Sequence, residues 1–311
     1  MVIYVKYESR FTKTSLNKFG KKIYLDQMTV DEIKERVKEC DIIIVPCGSI
    51  ECHGPQAPVG EDSFIGAYVA ERVAYETGVT VAPPIWYGSH PSHHYGMIGT
   101  IPIENKQTYV DYVRSVCKWL IHSGFKKVLI LNSHGQEYVL PIVKDDLLVN
   151  DRVKALVMVT SWWCWVRDLL AKVGEEIAPG VRIETPFIHA DEVETSVMWY
   201  VAPNLIDKEK LKVAKAEKMV GVLKELQGLY VDKAGNVFSK PFGWYDISQL
   251  PEVKYYSLGV VGDATKADPK KGEVLIETCI KRMTEFIEKL KEMFPPGVVP
   301  DVSLPDDVFT F

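Results

Sequence analysis

The sequence has no excess of positive charge and no cysteine pattern typical of a disulfide framework or a thiolate zinc site. Its 37 lysines and arginines are outnumbered by 42 aspartates and glutamates, which gives a formal net charge of -5. Nucleic-acid binding favours a basic face, so this balance argues against a nucleic-acid partner and favours a small-molecule substrate. The six cysteines are scattered without a CxxC pair, and most are expected to be small buried apolar side chains.

Long apolar runs are also missing. No segment approaches the roughly 18 apolar residues of a membrane helix. The first residues alternate apolar and charged side chains, whereas a signal peptide has an apolar core of about 7–15 residues. We therefore expect a cytoplasmic protein with no membrane partner.

Linkers of Gly/Ser type, internal repeats and low-complexity stretches are absent between residues 24 and 294. A single domain is therefore expected over residues 1–294. Residues 295–311 form a proline-rich tail. This tail cannot form a regular helix or an internal strand, and it is expected either to be disordered or to lie across a neighbouring surface.

Apolar runs of strand length alternate with longer segments of helical periodicity along most of the chain. This alternation is typical of βαβ units and predicts an α/β fold with a mostly parallel sheet. The predicted strands are 41–47, 79–85, 127–133 and 153–162, and the predicted helices are 62–78, 106–124, 137–150, 205–228 and 272–294.

The segment GSIECHGPQAPVGED, which follows the first predicted strand, combines two carboxylates with an imidazole. Glu51 and His53 are two residues apart, so in an extended backbone their side chains leave the same face. Asp62 returns after a loop rich in glycine and proline. Such a set suits a divalent metal ion such as Zn, Mn or Fe. The alternatives are that Asp62 caps a helix, that Glu51 is solvated and that His53 hydrogen-bonds a backbone carbonyl.

Two more histidines lie at the ends of predicted elements. His134 follows the third predicted strand, and the carboxyl ends of parallel strands share one edge where ligands bind. His189 precedes an acidic helix start, in which the helix dipole alone would explain Asp191 and Glu192. Glu194 comes just before an apolar run, where an unpaired carboxylate would be costly and a metal ion would compensate it.

Four separated segments resemble, in order, the successive motifs of the creatininase-like metal-dependent amidohydrolase family. They are GSIECHG with Asp62, NSHG, HADEVETS and GVVGDATKADPKKGE, within residues 24–294. Four ordered motifs are far more specific than a single short one. The resemblance implies a three-layer α/β/α domain and one or two divalent metal ions, Zn or Mn with Fe as an alternative. It also implies a homo-oligomer, a hexamer built from dimers.

The resemblance also implies roles for individual residues. The implied metal ligands are Glu51, His53, Asp62, His134 and Glu194, with Asp62 bridging two ions. The aromatic segment 161–166 resembles a flap that would place Trp163 over the substrate, with Trp162 and Trp165 pointing away if the backbone is extended. In the histidine-rich loop 87–100, which lines the pocket in the family, His94 matches a pocket residue. His90 and His93 are expected as much at the surface as in the pocket.

Departures from creatininase itself bear on the substrate. Gln136 stands where creatininase has a ligand glutamate, with Glu137 one place further on. Ile188 stands where creatininase has a catalytic glutamate, and ETPF replaces a stretch that contains a tryptophan. We therefore expect poor creatininase activity, with Gln136 among the residues that contact a different substrate.

The resulting hypothesis is a metal-dependent hydrolase in which a metal-activated water attacks a small substrate. Glu137 or Glu192 would move the proton, and His189 would stabilise the oxyanion or protonate the leaving group. The bond is expected to be the C–N bond of a cyclic amide, lactam or formamide. One alternative is opening of an oxidised inositol ring (a keto-inosose) at a C–C bond. Another is a non-catalytic metal-binding assembly protein.

Overall fold

The computed structural model describes residues 14–216, 252–256 and 258–302. Its helices are α1 (Val30–Glu39), α2 (Glu61–Thr77), α3 (Lys106–His122), α4 (Leu140–Val149), α5 (Arg167–Leu170), α6 (Glu192–Val201), α7 (Lys208–Leu211), α8 (Glu252–Tyr255) and α9 (Pro269–Met293). Its strands are β1 (Ile42–Cys47), β2 (Thr80–Val81), β3 (Lys127–Asn132), β4 (Leu156–Ser161), β5 (Glu176–Ala178) and β6 (Val181–Arg182).

Four parallel strands form the central sheet, in the order β2-β1-β3-β4. The paired strands β1 and β3 end together, since Cys47 pairs with Asn132. The loops that carry Glu51 and His134 therefore leave the same edge of the sheet, as the sequence predicts. Strands β5 and β6 form a separate antiparallel pair.

Alternate residues of the central strands enter two different hydrophobic clusters. In β1, Ile42 and Ile44 belong to the cluster formed with α2, α6 and α9, whereas Ile43 and Val45 belong to the cluster formed with α3 and α4. Successive side chains of a strand point to opposite faces, so helices cover both faces of the sheet. The predicted three-layer α/β fold is confirmed.

Local signals in the sequence account for several helix boundaries. Thr29 and Glu32 form a capping box at the start of α1. Helix α2 ends at Gly78, whose φ of 73° is left-handed and suits glycine. The side chain of Asp268 accepts a hydrogen bond from the N–H of Lys270 and begins α9 at Pro269.

Three of the predicted elements differ in the structure. The strand predicted at 79–85 is only Thr80–Val81, because Pro83 and Pro84 have no N–H to donate to a neighbouring strand. The segment Trp162–Val166, expected to be extended, is a 3-10 helix. The helix predicted at 205–228 is wrong in its described part, where only Lys208–Leu211 is α-helical and residues 212–216 are not. Residues 217–251 lie outside the described residues.

The described part of the proline-rich tail, residues 295–302, contains neither helix nor strand. It begins against the amino ends of β1 and β3, where Pro295 and Gly297 contact Lys127 and Asp41. In the described residues, no helix is long and apolar enough to cross a membrane.

Candidate metal centre

The loop that follows β1 buries both of its predicted ligands. Glu51 is 2% exposed and His53 is 1% exposed, so Glu51 is not a solvated loop charge. The N–H of Glu51 donates to the carbonyl of Val59 across the loop. His53 Nδ1 lies 3.1 Å from the carbonyl oxygen of Glu51. Because a carbonyl only accepts, Nδ1 carries the proton and Nε2 presents a lone pair.

The first turn of α2 adds two buried carboxylates. The N-cap of this helix is Gly60, which has no capping side chain, so Asp62 is not the cap. Asp62 instead accepts a hydrogen bond of 2.6 Å from the hydroxyl of Ser49. Its neighbour Glu61 is 1% exposed, and its Oε2 lies 3.3 Å from His53 Nε2. The amino end of a helix favours negative charge, which stabilises both carboxylates here.

Asp62 lies between two imidazoles. Its Oδ1 is 3.6 Å from His53 Nε2, and its Oδ2 is 3.0 Å from His134 Nδ1. Glu51 Oε2 approaches the same nitrogen of His134 at 3.1 Å. One carboxylate thus faces two clusters of potential ligands, which is the arrangement that two neighbouring metal ions require of a bridging residue.

The start of α6 supplies the third part of the site. Asp191 caps this helix by accepting hydrogen bonds from the N–H groups of Val193 and Glu194, which explains its place at the helix start. Ala190 has a positive φ of 49°, a strained conformation for a residue with a side chain. Its N–H donates to Glu194 Oε2, which lies 3.6 Å from His53 Nε2.

His189 has a defined orientation. Its Nε2 is 2.9 Å from the carbonyl oxygen of Cys52 and therefore carries the proton. Its Nδ1 lies 3.8 Å from Glu194 Oε2 and 3.9 Å from Glu51 Oε2. Burial lowers the pKa of His189 to about 3, which keeps the ring neutral. A lone pair on Nδ1 therefore faces the cluster.

Proton affinities in the cluster are shifted by burial and by the close carboxylates and imidazoles. Burial alone would lower the pKa of His134, but Glu51 and Asp62 raise it to about 10. Burial alone would raise the pKa of Glu51, but the imidazoles of His94 and His189 hold it well below its usual range. Burial raises the pKa of Glu194 well above its usual range. A divalent cation would replace the protons that His134 and Glu194 otherwise hold.

The donor set fits divalent cations. Several buried atoms have no hydrogen-bond partner, including His53 Nε2, Glu51 Oε1 and both carboxylate oxygens of Glu61, and leaving such groups unpaired is costly. Within the described residues, four sets of ligand atoms lie within 4.8 Å of one another: Glu51/His90/His94/His134, Glu51/His53/His189, His93/His94/Glu252 and His53/Asp62/Glu194. Atoms bound at about 2.0–2.2 Å to one ion are at most about 4.4 Å apart, so small movements suffice.

The histidine-rich loop covers this cluster. His90, His93 and His94 are all buried, so the alternative that His90 and His93 are surface residues is wrong. His94 Nδ1 contacts Glu51 Oε1, and its Nε2 lies 3.7 Å from Oε1 of Glu252 in α8. Burial raises the pKa of Glu252 to about 7.

Sequence reasoning gave no definite site role to four residues of the cluster, which are Glu61, His90, His93 and Glu252. Glu61 could have been found, because it precedes Asp62 at a predicted helix start. The repeated histidines of the loop were a signal for His90. Nothing in the local sequence marks Glu252, which a long connection separates from the other residues.

Two carboxylates considered as proton carriers have other surroundings. Glu192 is completely buried and pairs with Lys271 Nζ at 2.6 Å. It also accepts hydrogen bonds from the N–H groups of Glu184 and Thr185, so it joins α6 to α9 and the structure does not bring it into the cluster. Glu137 is half-buried and belongs to none of the described sets of ligand atoms.

Gln136 and Trp163, which were expected to contact the substrate, also have other partners. Gln136 uses its amide to hold backbone: its Oε1 accepts from the N–H of Ser89 at 2.9 Å, and its Nε2 donates to the carbonyl of Gly48 at 3.3 Å. Trp163 packs edge-on against Trp162 and Phe187 beside the core. The 3-10 helix, which replaces the expected extended segment, directs it there.

Comparison with known proteins identifies the family of this chain. The family model described as creatinine amidohydrolase (creatininase) matches residues 26–287. The chain is 41% identical over 284 residues to a 3-dehydro-scyllo-inosose hydrolase from Thermotoga maritima, covering 91% of this chain and 88% of that protein. It is 23% identical over 287 residues to a creatinine amidohydrolase from Pseudomonas putida, covering 89% and 99%.

Solved structures share the fold. A mutant creatininase of Zn-Zn type superposes with a TM-score of 0.68 at 21% identity, covering 89% of this chain and all of that one. A creatininase described with Mn gives a TM-score of 0.65 at 22% identity over the same shares. The family model covers most of the chain and the inosose hydrolase is similar over nearly all of it. The chain therefore belongs to the creatininase family of hydrolases.

Proposed function

We propose that this protein uses divalent metal ions to hydrolyse a ring C–C bond next to a ketone in an oxidised inositol. The structural observation that carries the metal chemistry is Asp62, whose two oxygens face His53 and His134. The substrate class is supported by the 41% identity to a 3-dehydro-scyllo-inosose hydrolase over 91% of the chain.

The metal ions would be held by two sets of residues that share Asp62. One set adds Glu51 and His134 to Asp62, and the other adds His53 and Glu194. When bound, a divalent cation supplies Lewis acidity for the carbonyl group and makes water a nucleophile at neutral pH. Zn or Mn is favoured by the mixed oxygen and nitrogen donors and by the metals named for related creatininase structures.

Hydrolysis next to a ketone adds hydroxide to the carbonyl carbon and a proton to the carbon that departs. The site must therefore accept one proton from water and return one to carbon. His189 is suited to the first step, because its Nε2–H is held by the carbonyl of Cys52 while Nδ1 presents a lone pair. The same proton can then go to the leaving carbon.

His94 and Glu252 would bind the hydroxyl groups of the substrate. His94 Nε2 lies 3.7 Å from Glu252 Oε1, next to Glu51, and both residues are buried. An imidazole next to a carboxylate both donates and accepts hydrogen bonds, which suits neighbouring hydroxyls on one ring. We assign this contact to His94 and not to Gln136, whose amide holds backbone, or to Trp163, which packs beside the core.

Hydrolysis of a cyclic amide C–N bond is the second candidate function. It is favoured by the creatininase family model over residues 26–287. Ile188 argues against creatinine as the substrate, since its side chain can neither take up a proton nor hydrogen-bond a ring nitrogen. Loss of one such transition-state contact commonly lowers the rate by roughly 10²–10³.

The test compares substrates on metal-loaded protein. Protein reconstituted separately with Zn and Mn would be assayed with 3-dehydro-scyllo-inosose, creatinine and a small formamide, with chelator-treated protein as the control. We expect kcat/KM for the inosose to exceed that for creatinine by at least about 10²-fold. Creatinine turnover comparable to that of an authentic creatininase, assayed in parallel, would show that the amide candidate is correct.

We also propose that the protein is a homo-oligomer, a hexamer built from dimers. Large apolar side chains are exposed on the monomer: Ile98 is 97% exposed, Val30 69% and Trp119 64%. The resemblance to the creatininase family, which implies a hexamer built from dimers, supports this proposal. Light scattering at micromolar concentration should give a multiple of the 35.2 kDa chain mass, and a monomeric mass would contradict the proposal.

A further inference from the structure

His90 is a fully buried imidazole, and neither of its ring nitrogens has a hydrogen-bond partner. Its Nδ1 lies 3.6 Å from Glu51 Oε1, and its ring centroid lies 4.3 Å from that of His134. Buried imidazole nitrogens are normally satisfied by protein groups, water or a metal ion. The ring of His90 thus faces the cluster with both nitrogens available.

The backbone on both sides of His90 is held in place. The N–H of Ser89 donates to Gln136 Oε1 at 2.9 Å, and Lys106 Nζ donates to the carbonyl of His90 itself. Gly88 allows the close approach of the loop, because a Cβ there would lie 2.8 Å from the carbonyl oxygen of Gly48. The position of the ring is therefore built into the fold.

Gln136 cannot act as a metal ligand from its present position. Besides accepting from Ser89, its amide donates to the carbonyl oxygens of Gly48 at 3.3 Å and Cys47 at 3.4 Å. The side chain is 0% exposed and joins the loop after β3 to the histidine-rich loop. Its contribution is to place Ser89 and, through it, His90.

His94 is less available than His90 to bind a metal ion. Its Nδ1 contacts Glu51, and its Nε2 lies 3.7 Å from Glu252. Glu51, His90 and His134 each offer a ligand atom, and these atoms lie within 4.8 Å of one another. We infer that His90 is a direct ligand of the divalent cation held by Glu51 and His134, and that Gln136 is the positioning residue for it. This inference rests on the metal centre of the proposed function.

The first experiment measures metal binding without substrate. His90→Phe keeps a buried aromatic ring and removes both nitrogens. Metal content is measured after desalting, and Zn or Mn is titrated into chelator-treated protein by isothermal calorimetry. The variant should bind one equivalent of metal fewer than wild type, or bind that equivalent at least about 10–100-fold more weakly. His122→Phe, on the exposed side of α3, is the control and should bind metal as wild type does.

The second experiment separates a ligand from a packing residue. In cobalt-substituted protein, each ligating histidine gives a paramagnetically shifted N–H proton signal that disappears in deuterated water. His90→Phe should show one such signal fewer than wild type. Free imidazole should restore the lost equivalent in His90→Ala, since it fills the space and supplies the donor. Gln136→Ala should keep the signal but bind that cation more weakly.

The outcomes are distinguishable. A His90→Phe variant that retains every equivalent, every shifted signal and the wild-type affinity would overturn the inference. Wild-type protein that binds no divalent cation would overturn the metal centre and this inference together. Wild-type protein that binds the cations but does not hydrolyse the inosose would overturn only the proposed substrate.

Discussion

At the scale of single residues, Asp62 is distinctive because its two oxygens approach different imidazoles. Oδ1 faces His53, and Oδ2 faces His134 and accepts from Ser49. Three more carboxylates, Glu51, Glu61 and Glu194, converge on the same buried space. Without a cation this concentration of negative charge is unfavourable, so metal binding is expected to stabilise the folded protein.

Asp62→Asn should therefore lose most of the stabilisation that metal provides. The amide replaces one potential ligand oxygen by an NH₂ group, which does not bind metal ions. In wild-type protein, free metal at about 100 times its Kd should stabilise the fold by roughly 2.7 kcal/mol, and the variant should lose most of this. Thermal unfolding with and without Zn, together with metal content, measures the effect.

The control for this prediction is Glu76→Gln. Glu76 lies near the other end of α2 and pairs with Lys18 at 3.1 Å in a half-exposed ion pair, which is worth little. The Glu76→Gln variant should retain the full metal-dependent rise in Tm. An equal rise in Asp62→Asn would show that Asp62 is not a ligand.

At the scale of elements, α6 and α9 approach each other closely at the end of α6 that carries Glu194. A Cβ on Gly272 would lie 2.1 Å from the carbonyl oxygen of Ser196, so only glycine fits there. Ser196 Oγ also accepts from the N–H of Asp268 at 3.0 Å. The buried pair Glu192–Lys271 lies at the same contact. These contacts position the start of α6 relative to the sheet.

Gly272→Ala should destabilise the protein although alanine is the better helix former. Overpacking against backbone typically costs about 1–3 kcal/mol, which exceeds the roughly 1 kcal/mol gained in helix propensity. Urea unfolding followed by circular dichroism measures the difference. Lys281→Ala, on the exposed side of the same helix, should change stability little, and an equal loss in both variants would contradict the argument.

The capping box of α1 should make stability depend on pH in the acid range. The ion pair with Lys22 and the N–H of Thr29 lower the pKa of Glu32 from 4.5 to about 2. Because the folded pKa is the lower one, the charged form stabilises the fold above about pH 4.5, and this contribution is lost as the pH falls toward 2.

Glu32→Gln preserves the hydrogen bonds of the capping box and removes the charge. We expect it to be less stable than wild type at neutral pH, with the difference shrinking below about pH 4.5. Urea unfolding of both proteins at several pH values measures this. A difference that stays constant down to pH 3 would contradict the assigned pKa.

At the scale of the whole molecule, a buried ion pair connects the sheet to the segment after α9. Lys127, at the start of β3, is 0% exposed, and its Nζ lies 2.5 Å from Asp41 Oδ1. The other oxygen of Asp41 accepts from the N–H of Gly297 at 2.9 Å, and Lys127 also donates to the carbonyl of Pro295. This pair holds the start of the proline-rich tail against the sheet.

Asp41→Ala should destabilise the protein by about 3–5 kcal/mol, because it leaves the buried ammonium of Lys127 without its counter-charge. The double variant Asp41→Ala/Lys127→Met should recover a large part of this loss, since it removes the unpaired charge as well. Chemical denaturation of both variants provides the measurement. No recovery in the double variant would show that the contact with the tail, and not the charge, is the main contribution.

Much of the fold and part of the candidate site could be predicted from the sequence. The alternation of apolar runs with helical periodicity predicts the parallel sheet and its covering helices, because burial on two faces requires these patterns. The same patterns place Glu51 and His134 after strands that end at one edge, where the structure brings them within 3.1 Å. Local signals also mark the carboxyl end of α2 and the start of α9.

Only the tertiary structure decided which polar residues meet. It pairs Glu192 with Lys271, uses the amide of Gln136 to hold backbone and brings Glu252 next to His94. These contacts join residues that are 79, 47 and 158 positions apart in the chain, so no local period encodes them.

The physical reason is the difference between burial and pairing. Periodicity reports which face of an element avoids water, and the hydrophobic effect acts on that face regardless of its partner. Whether a buried carboxylate meets a lysine, an amide or an imidazole depends on the packing of distant elements. The sequence by itself therefore determined the sheet and the edge at which the site forms, and the packing of α6, α8 and the histidine-rich loop determined which groups face that edge.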